Sequence, residues 1–244
     1  MELSNKIALI TGSTTGIGRE TARLMAAAGA EIVVSGRNPE RGAATVRAIA
    51  DAGGSARFVA ADLTDIDSLR RLVEEAGTVD ILVNNAAIFP GGPAVEPDLE
   101  SFDTAFAANV RAPYFLGGAL APGMIAKGSG SIINVSTMAA RIGMAGLSTY
   151  GATKAALESL TRTWAAELSP AGVRVNTVAP GPARTDMVLG TMGEDGAAQI
   201  GKTTLLGRIA SPHEIAEVIL FLASDRASFI TGATIAADAG RTAI

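Results

Sequence analysis

The sequence predicts an α/β fold in which a doubly wound, seven-stranded parallel sheet carries helices on both of its faces. Short apolar runs rich in β-branched residues alternate along the chain with longer segments of helical periodicity. Each run is apolar at consecutive positions, which is typical of parallel strands that are covered on both faces. No linker or shift of composition divides the chain. We therefore expect a single domain over residues 1–244.

Seven apolar runs predict the strands, and six longer segments predict the helices. The predicted strands are Ile7 to Ile10, Glu31 to Ser35, Arg57 to Ala60, Ile81 to Asn84, Ile132 to Val135, Val173 to Val178 and Thr234 to Ala237. The predicted helices cover about 17–28, 40–52, 65–76, 99–127, 149–169 and 212–223, and capping residues such as Asp65 and Ser211 precede several of them. In such a sheet, ligands bind at the carboxyl ends of the strands, where the strand order reverses.

The composition narrows the classes of function. Hydrophobic residues make up 48% of the chain and charged residues 18%, which suits a large core and excludes general disorder. The net charge of −4 and the scattered basic residues predict no nucleic-acid partner. Without cysteine, and with His213 as the single histidine, we expect no disulfide, no thiolate chemistry and no metal site. No secretion signal and no run of about 18 apolar residues occurs, which predicts a cytoplasmic protein without a membrane partner.

Tyr150 and Lys154 stand four residues apart at the start of an alanine-rich segment, so a helix would present both side chains on one face. A tyrosine with a pKa of about 10 is a poor acid or base at pH 7, but an adjacent cation favours the phenolate. The spacing predicts that Lys154 lowers the pKa of Tyr150 and that the pair acts as a general acid and base. Spacing alone leaves open a chance pair on an exposed helix.

A glycine-rich turn follows the first predicted strand and leads into the first helix. Glycines at this point permit a tight turn and the close approach of a pyrophosphate to the helix N-terminus. A turn without any ligand is the alternative. The residues of the predicted dinucleotide site are Gly12, Ser13, Thr14, Thr15, Gly16, Ile17 and Gly18.

Together with Asn84-Asn85-Ala86, the turn at 11–18 and the Tyr-x-x-x-Lys motif at 150–154 resemble the short-chain dehydrogenases/reductases. The resemblance spans essentially the whole chain and continues through 221–225 and 230–232. It implies a Rossmann-type fold and an oxidoreductase that transfers a hydride between a nicotinamide cofactor and a ketone or secondary alcohol.

The resemblance also implies roles for individual residues. Tyr150 would exchange a proton with the substrate oxygen, and Lys154 would assist it and hold the nicotinamide ribose. Asn109 would help to hold a water that links the lysine to solvent. The remaining implied cofactor contacts are Asp62 and Leu63 at the adenine, Asn84 and Ala86 through the backbone near the ribose, Pro180, Gly181 and Thr185 at the carboxamide, and Ala183.

The chain departs from the family pattern at three points. The substrate-orienting serine, usually thirteen positions before the tyrosine, is replaced by Thr137, with Ser136 just before it. A threonine hydroxyl can still donate a hydrogen bond, so we predict Thr137 as a catalytic residue and leave Ser136 as the alternative. Ala87 replaces the glycine that usually follows Asn-Asn-Ala, and we expect an ordinary φ there. The segment 237–240 lacks a paired glycine, and we expect it to be structural and interfacial.

The end of the second predicted strand bears on the choice of cofactor. Gly36 stands where family spacing would place the acidic residue that binds the ribose 2′-hydroxyl of NAD, and Arg37 follows it. A guanidinium pairs well with a 2′-phosphate, and the hydroxyls of Thr14 and Thr15 could add donors. We therefore predict NADP. NAD is the alternative, because Thr15 stands where NADP-preferring relatives often have a second basic residue.

The substrate is less closely defined by the sequence. Residues 186–207 contain five glycines among apolar residues, which predicts a mobile lid loop over an apolar pocket. Ile142, Met144 and Leu147 would form the opposite wall, and Arg141 and Arg184 are candidates to bind an anionic group. We expect a small carbonyl or alcohol substrate, with an NADPH-dependent carbonyl reductase, such as a 3-oxoacyl-thioester reductase, as the first hypothesis. The alternatives are an NAD-dependent dehydrogenase of a small sugar or secondary alcohol, and a cofactor-binding regulatory protein without catalytic activity.

The two long helices predicted over 99–127 and 149–169 carry apolar residues around more of their circumference than one buried face requires. Tyr114, Phe115 and Leu160 are examples. Relatives commonly assemble through these helices, so we expect a homotetramer, with a dimer as the alternative.

Overall fold

The structure is a computed structural model that describes the whole chain, Met1–Ile244. It contains seven strands, and all seven match the predicted runs within a few residues. The strands are β1 (Ile7–Thr11), β2 (Glu31–Gly36), β3 (Ser55–Ala60), β4 (Ile81–Asn84), β5 (Gly130–Val135), β6 (Val173–Pro180) and β7 (Thr234–Ala237). The helices are α1 (Gly16–Ala27), α2 (Pro39–Asp51), α3 (Ile66–Ala76), α4 (Leu99–Phe106), α5 (Ala112–Lys127), α6 (Ser148–Leu168), α7 (Asp186–Gly201) and α8 (Pro212–Ala223). No helix combines the length and apolarity needed to cross a bilayer.

The strands form one parallel sheet in the order β3-β2-β1-β4-β5-β6-β7. The order reverses between β1 and β4, because the chain first builds outward to β3 and then continues on the other side of β1. This arrangement confirms the predicted Rossmann-type fold. It also places the carboxyl ends of β1 and β4 side by side, where a ligand crevice opens.

Two apolar layers hold the helices against the sheet. One layer joins α1, α2 and α8 to one face of the sheet, with Met25, Ile49 and Ile219 fully or almost fully buried. The other joins α3, α5 and α6 to the opposite face, with Leu69 and Leu116 in its centre. Coverage on both faces explains why the strand runs are apolar at consecutive positions.

The two capping residues predicted at Asp65 and Ser211 are confirmed. The Asp65 side chain accepts hydrogen bonds from two backbone N–H groups of α3. Ser211 and Glu214 form a reciprocal capping box at the start of α8, and Pro212 occupies its first turn. These contacts fix where each helix leaves its loop.

Two predicted elements differ in the structure. The single helix predicted over 99–127 is interrupted by a π-type turn at Ala107–Arg111, which holds Asn109. The prediction of a loop over 186–207 was wrong, since most of this segment forms α7. The helix is kinked at Gly193, where φ is 67°. Thr185 caps this helix, and Ala197 within it is buried, so capping and burial outweigh the cost of about 1 kcal/mol for each glycine.

The two alanines that replace family glycines behave differently. Ala87 has an ordinary negative φ, as predicted, because only Asn5 and Ala239 among non-glycine residues have positive φ. Ala239 has a φ of 54°, a left-handed conformation that costs about 1 kcal/mol for a residue with a Cβ. The Asp238 carboxylate accepts hydrogen bonds from the backbone N–H groups of Gly240 and Thr242, which holds this turn in place.

Candidate active site

One cavity of about 440 Å³ lies at the carboxyl ends of the strands. Its walls come from the glycine-rich turn after β1, the loops after β2 to β6, and the starts of α6 and α7. This is the crevice predicted by the reversal of strand order. The cavity therefore runs along the sheet edge from the end of β2 to the end of β6.

The glycine-rich turn has a backbone that only glycine accommodates. Gly12 and Gly16 have positive φ values of 64° and 54°. A Cβ on Gly18 would stand 2.4 Å from the carbonyl oxygen of Gly12, and one on Gly16 would approach Thr185 to 3.2 Å. The backbone of the turn thus borders the cavity and lies close to Thr185 at the start of α7.

Ser13 and Asn84 are predicted site residues that do not line the cavity. The buried Ser13 hydroxyl donates to the carbonyl of Ile10 at 2.7 Å and accepts from the N–H of Ser35 at 3.0 Å, which ties β1 to β2. The Asn84 side chain donates to Asn134 Oδ1 at 2.9 Å inside the sheet, and its own Oδ1 has no partner. Asn85 faces the cavity instead, and its Nδ2 donates to the carbonyl oxygens of Thr11 and Gly12.

One end of the cavity carries two arginines. Arg37 follows β2, and Arg41 stands in the first turn of α2. Neither guanidinium forms an ion pair. Hydrogen bonds from Thr64 hold the pKa of the nearby Asp62 below its usual value, with a smaller contribution from the charge of Arg37. Sequence reasoning missed Arg41, although its four-residue spacing from Arg37 at a helix start was visible.

Gly36 stands where an acidic residue would bind NAD, and the Thr14 side chain lies close to it. A Cβ at this position would lie 2.9 Å from Thr14 Cγ2 and 3.2 Å from its hydroxyl oxygen. An acidic side chain would require Thr14 to move. The Thr14 side chain therefore occupies the space beside Gly36 into which a larger residue would extend.

Tyr150, Lys154 and Phe89 meet at the other end of the cavity. The rings of Phe89 and Tyr150 form an edge contact with 4.6 Å between their centroids. Lys154 Nζ lies 5.8 Å from the centroid of the Tyr150 ring and donates to the carbonyl of Val135 at 2.8 Å. The predicted spacing along α6 does place both side chains on one face.

Burial sets the protonation of this pair. It raises the pKa of Tyr150 to about 12, although a side-chain hydrogen bond with Thr137 lowers it in part. Part of the Tyr150 surface is accessible from the cavity, but the surrounding protein keeps water away from most of the ring. Burial also lowers the pKa of Lys154 to about 7, since this residue is only 1% exposed. The prediction that Lys154 lowers the pKa of Tyr150 is thus wrong, because desolvation of the tyrosine dominates.

Thr137 and Ser136, the two candidate hydroxyls, have different surroundings. Thr137 caps a short 3-10 turn at Met138–Ala140 and interacts with Tyr150. The buried Ser136 hydroxyl donates to Glu158 Oε1 at 3.0 Å, and Arg141 Nε donates to the same carboxylate at 3.3 Å. Both residues border the cavity, but the hydroxyl of Ser136 already serves to join β5 to α6.

Asn109 does not line the cavity, but it holds Ile88, which does. Its Oδ1 accepts from the N–H of Ile88, and its Nδ2 donates to the Ile88 carbonyl, both at 2.8 Å. A third bond at 3.1 Å links Nδ2 to Thr153 Oγ1 on α6. The fully buried Asn109 therefore holds the segment after β4 against the helix that carries Tyr150.

The walls around Tyr150 are mostly apolar. Charged residues there are limited to Lys154 and Asp186. The apolar residues that line this end are Ile88, Phe89, Met138, Ala139, Met144, Leu147, Met187, Val188, Met192 and Ile200. Ile142, predicted as part of this wall, does not line it.

These features fit the predicted dinucleotide. Glycines without a Cβ leave room for its pyrophosphate beside the N-terminus of α1, and unpaired guanidinium groups stand where a phosphate could reach them. Leu63, Ala86, Pro180, Gly181, Ala183 and Thr185 also line the cavity between the two ends. A bound nicotinamide would supply or accept a hydride.

Comparison with known proteins identifies the family. A family model described as enoyl-(acyl carrier protein) reductase matches residues 12–242. A solved structure of a short chain dehydrogenase/reductase family protein is 52% identical, with a TM-score of 0.95 and full coverage of both chains. Cis-4-hydroxycyclohexanecarboxylate dehydrogenase of Sinomonas cyclohexanicum is 40% identical over 99% of this chain and 98% of its own length.

A further solved structure contains a cofactor. It is described as a candidate NAD(P)-dependent gluconate 5-dehydrogenase from Beutenbergia cavernae with bound NADP at low occupancy. It is 36% identical, has a TM-score of 0.95, and the match covers 100% of this chain and 99% of the other. This chain therefore belongs to the short-chain dehydrogenase/reductase family, and it is an NAD(P)-dependent oxidoreductase that acts on CH–OH groups.

Proposed function

We propose that this chain is an NADPH-dependent reductase of ketones in which Tyr150 exchanges a proton with the substrate oxygen. The observation that carries the proposal is the convergence of Tyr150, Thr137 and Lys154 at one end of a cavity whose other end carries the glycine-rich turn. A regulatory protein that only binds the cofactor has no need for this convergence. A catalyst requires it.

The protonation state of Tyr150 suits the role of proton donor in a reduction. Tyr150 holds its proton at neutral pH, because burial raises its pKa to about 12. Its hydroxyl can thus donate to a carbonyl oxygen as that oxygen gains charge, with Thr137 supplying a second donor. Lys154, with a pKa lowered to about 7, can accept or release a proton near neutrality and resupply the tyrosine.

The proposed cofactor is NADP. Arg37 and Arg41 both border the same end of the cavity, and Gly36 leaves no carboxylate to repel a 2′-phosphate. Arg41 supplies the second basic residue that is missing at Thr15. NADP in a structural relative is consistent with this choice. NAD remains the alternative if the arginines stay solvated.

The apolar walls favour a ketone on an acyl chain or a carbon ring over a polyhydroxylated sugar, because hydroxyl groups would find few partners there. A 3-oxoacyl thioester fits this description, and so does an alicyclic ketone related to the hydroxycyclohexane ring in the name of one relative. An NAD-dependent dehydrogenase of a secondary alcohol on the same ring is the second candidate.

The proposed assembly is a homotetramer. A groove of about 860 Å³ lies between the π-type turn with α5 on one side and α6 on the other. Phe106, Val110 and Leu160 line it, and Tyr114 at its edge is 61% exposed. A second copy of the chain would cover this apolar surface, and a dimer is the smaller alternative. The cytoplasmic location stays a prediction.

The proposed reaction is tested by following the absorbance of NADPH and of NADH with a panel of ketones, diketones and 3-oxoacyl thioesters. We expect oxidation of NADPH with at least one apolar ketone, at higher kcat/KM than with NADH. Light scattering at micromolar concentration tests the assembly. A monomer mass would contradict the proposed tetramer.

A further inference from the structure

We infer that the substrate end of the cavity accepts an uncharged, apolar ketone and discriminates against a ketone that carries a carboxylate. This inference rests on the proposed function and narrows its substrate class. The inferred substrate carries no carboxylate, whereas two relatives are named for compounds that do, hydroxycyclohexanecarboxylate and gluconate.

The cavity offers a substrate carboxylate no free cation. Of the charged residues that line it, Arg37, Arg41 and Asp62 stand at the end formed by β2 and β3. Lys154 and Asp186 are the only other charged residues in its lining. The ammonium of Lys154 is buried against the Val135 carbonyl and belongs to the catalytic group, and Asp186 would repel an anion.

The two arginines suggested by the sequence as anion-binding residues are engaged elsewhere. Arg141 pairs with the buried Glu158, and Arg184 pairs with Glu194 at 2.6 Å. Neither side chain lines the cavity. Each guanidinium lies against a carboxylate of the chain itself and outside the cavity wall.

The free arginines are too distant to replace them. Three inter-strand spacings separate the end of β2, which precedes Arg37, from the end of β5, which precedes Thr137. At the usual spacing of parallel strands this is roughly 14 Å. A ketone small enough to reach Tyr150 from the substrate end would leave its carboxylate among methionines and leucine.

The start of α7 is the other feature that could attract an anion. Its free N–H groups carry a partial positive charge. However, the Thr185 hydroxyl accepts from the N–H of Val188, and Asp186 stands in the first turn. The chain thus already supplies the negative charge that this helix end favours. A carboxylate entering the cavity would lose its hydration without gaining a partner.

Matched pairs of ketones test the inference. We propose to compare 4-oxocyclohexanecarboxylate with its methyl ester, and 5-oxohexanoate with its methyl ester, at pH 7.5 with saturating NADPH. Each pair differs by one charge and one methyl group. We expect kcat/KM for the ester to exceed that for the carboxylate on the order of 100-fold, because an unpaired charge is buried in only one case. Equal or higher efficiency with either carboxylate would overturn the inference.

A binding measurement separates this inference from the proposed reaction. Calorimetric titration of the same four compounds into the protein saturated with NADP+ gives the charge preference without turnover. If no ketone is reduced, the proposed function fails, and tighter binding of the esters would still support the inference. Tighter binding of the carboxylates would refute it.

A gain-of-charge variant tests the cause. Met144 lines the substrate end, and Met144→Lys adds one cation there, with Met144→Gln as a control of similar length. We expect Met144→Lys to raise kcat/KM for the carboxylate relative to its ester by at least about tenfold over Met144→Gln. The same ratio in both variants would show that the missing cation does not set the preference.

Discussion

The two ends of the cavity use positive charge in opposite ways. Arg37 and Arg41 are exposed at one end, where their guanidinium groups can attract a phosphate. Lys154 at the other end is 1% exposed, and burial brings its pKa to about 7. The exposed arginines thus suit anion binding, whereas the buried lysine suits proton transfer. Changes at the arginine end should therefore affect cofactor binding alone, whereas changes at the Tyr150 end should affect the chemical step.

The largest effect is expected from loss of the buried cation. We predict that Lys154→Met lowers kcat/KM for the best ketone by about 10²-fold or more, since it removes the group that positions and resupplies Tyr150. NADPH binding should weaken as well, because Lys154 would also hold the nicotinamide ribose. Steady-state kinetics and calorimetry measure the two effects. Unchanged kcat/KM would contradict the assigned role of Lys154.

The next effect concerns the hydroxyl beside Tyr150. Thr137→Val keeps the shape of the side chain but removes its hydroxyl, so we expect kcat/KM to fall by about 10- to 100-fold. Thr137→Ser should retain most of the activity.

Ser136→Ala serves as the control for this pair of variants. It removes a hydrogen bond to Glu158 and should reduce stability by about 1 kcal/mol, with little loss of kcat. A greater loss of kcat in Ser136→Ala than in Thr137→Val would show that Ser136 is the substrate-orienting hydroxyl.

A smaller effect, confined to binding, is expected at the arginine end. We predict that Arg37→Ala and Arg41→Ala each weaken the binding of NADP+ by roughly tenfold and change that of NAD+ by less than about twofold. Arg19→Ala is a matched control, since Arg19 is exposed near the glycine-rich turn but does not line the cavity. Equal loss of both cofactors in the Arg41 variant would remove Arg41 from the phosphate site.

A further effect, on stability and not on activity, is a pH dependence. Burial lowers the pKa of Lys154 from 10.5 to about 7, so between these values the unfolded chain binds more protons at this residue. The contribution of Lys154 to the free energy of unfolding should therefore rise with pH in this window, by up to about 1.4 kcal/mol per pH unit.

Urea unfolding at pH 7 and pH 9 measures this contribution as the difference between wild type and Lys154→Met. We expect the wild type to gain stability relative to the variant at the higher pH. The same difference at both pH values would show that the buried ammonium does not titrate in this window.

The strands could be predicted from the sequence because each one has a local pattern of apolar residues. Burial on both faces requires apolar residues at consecutive positions, and Ile81 to Val83 illustrate the pattern. The segment 186–207 could not be predicted in this way. Its glycines favour a loop locally, whereas the cap at Thr185 and the burial of Ala197 favour a helix.

The site was predictable where spacing alone determines geometry. Four residues separate Tyr150 from Lys154, and any helix brings them together. The direction of the pKa change depends instead on burial, which spacing does not reveal. The sequence also does not reveal in which direction each of two neighbouring side chains points. Asn84 at the end of β4 donates to Asn134 inside the fold, whereas Asn85 donates to the glycine-rich turn.

The most direct test of the separation between the two ends is one variant measured in two ways. Tyr150→Phe removes only the oxygen proposed to transfer the proton. We predict that kcat falls by at least about 100-fold while the Kd for NADPH stays within about twofold of the wild-type value. Retention of more than roughly a tenth of the wild-type kcat would contradict the assignment of Tyr150 as the general acid.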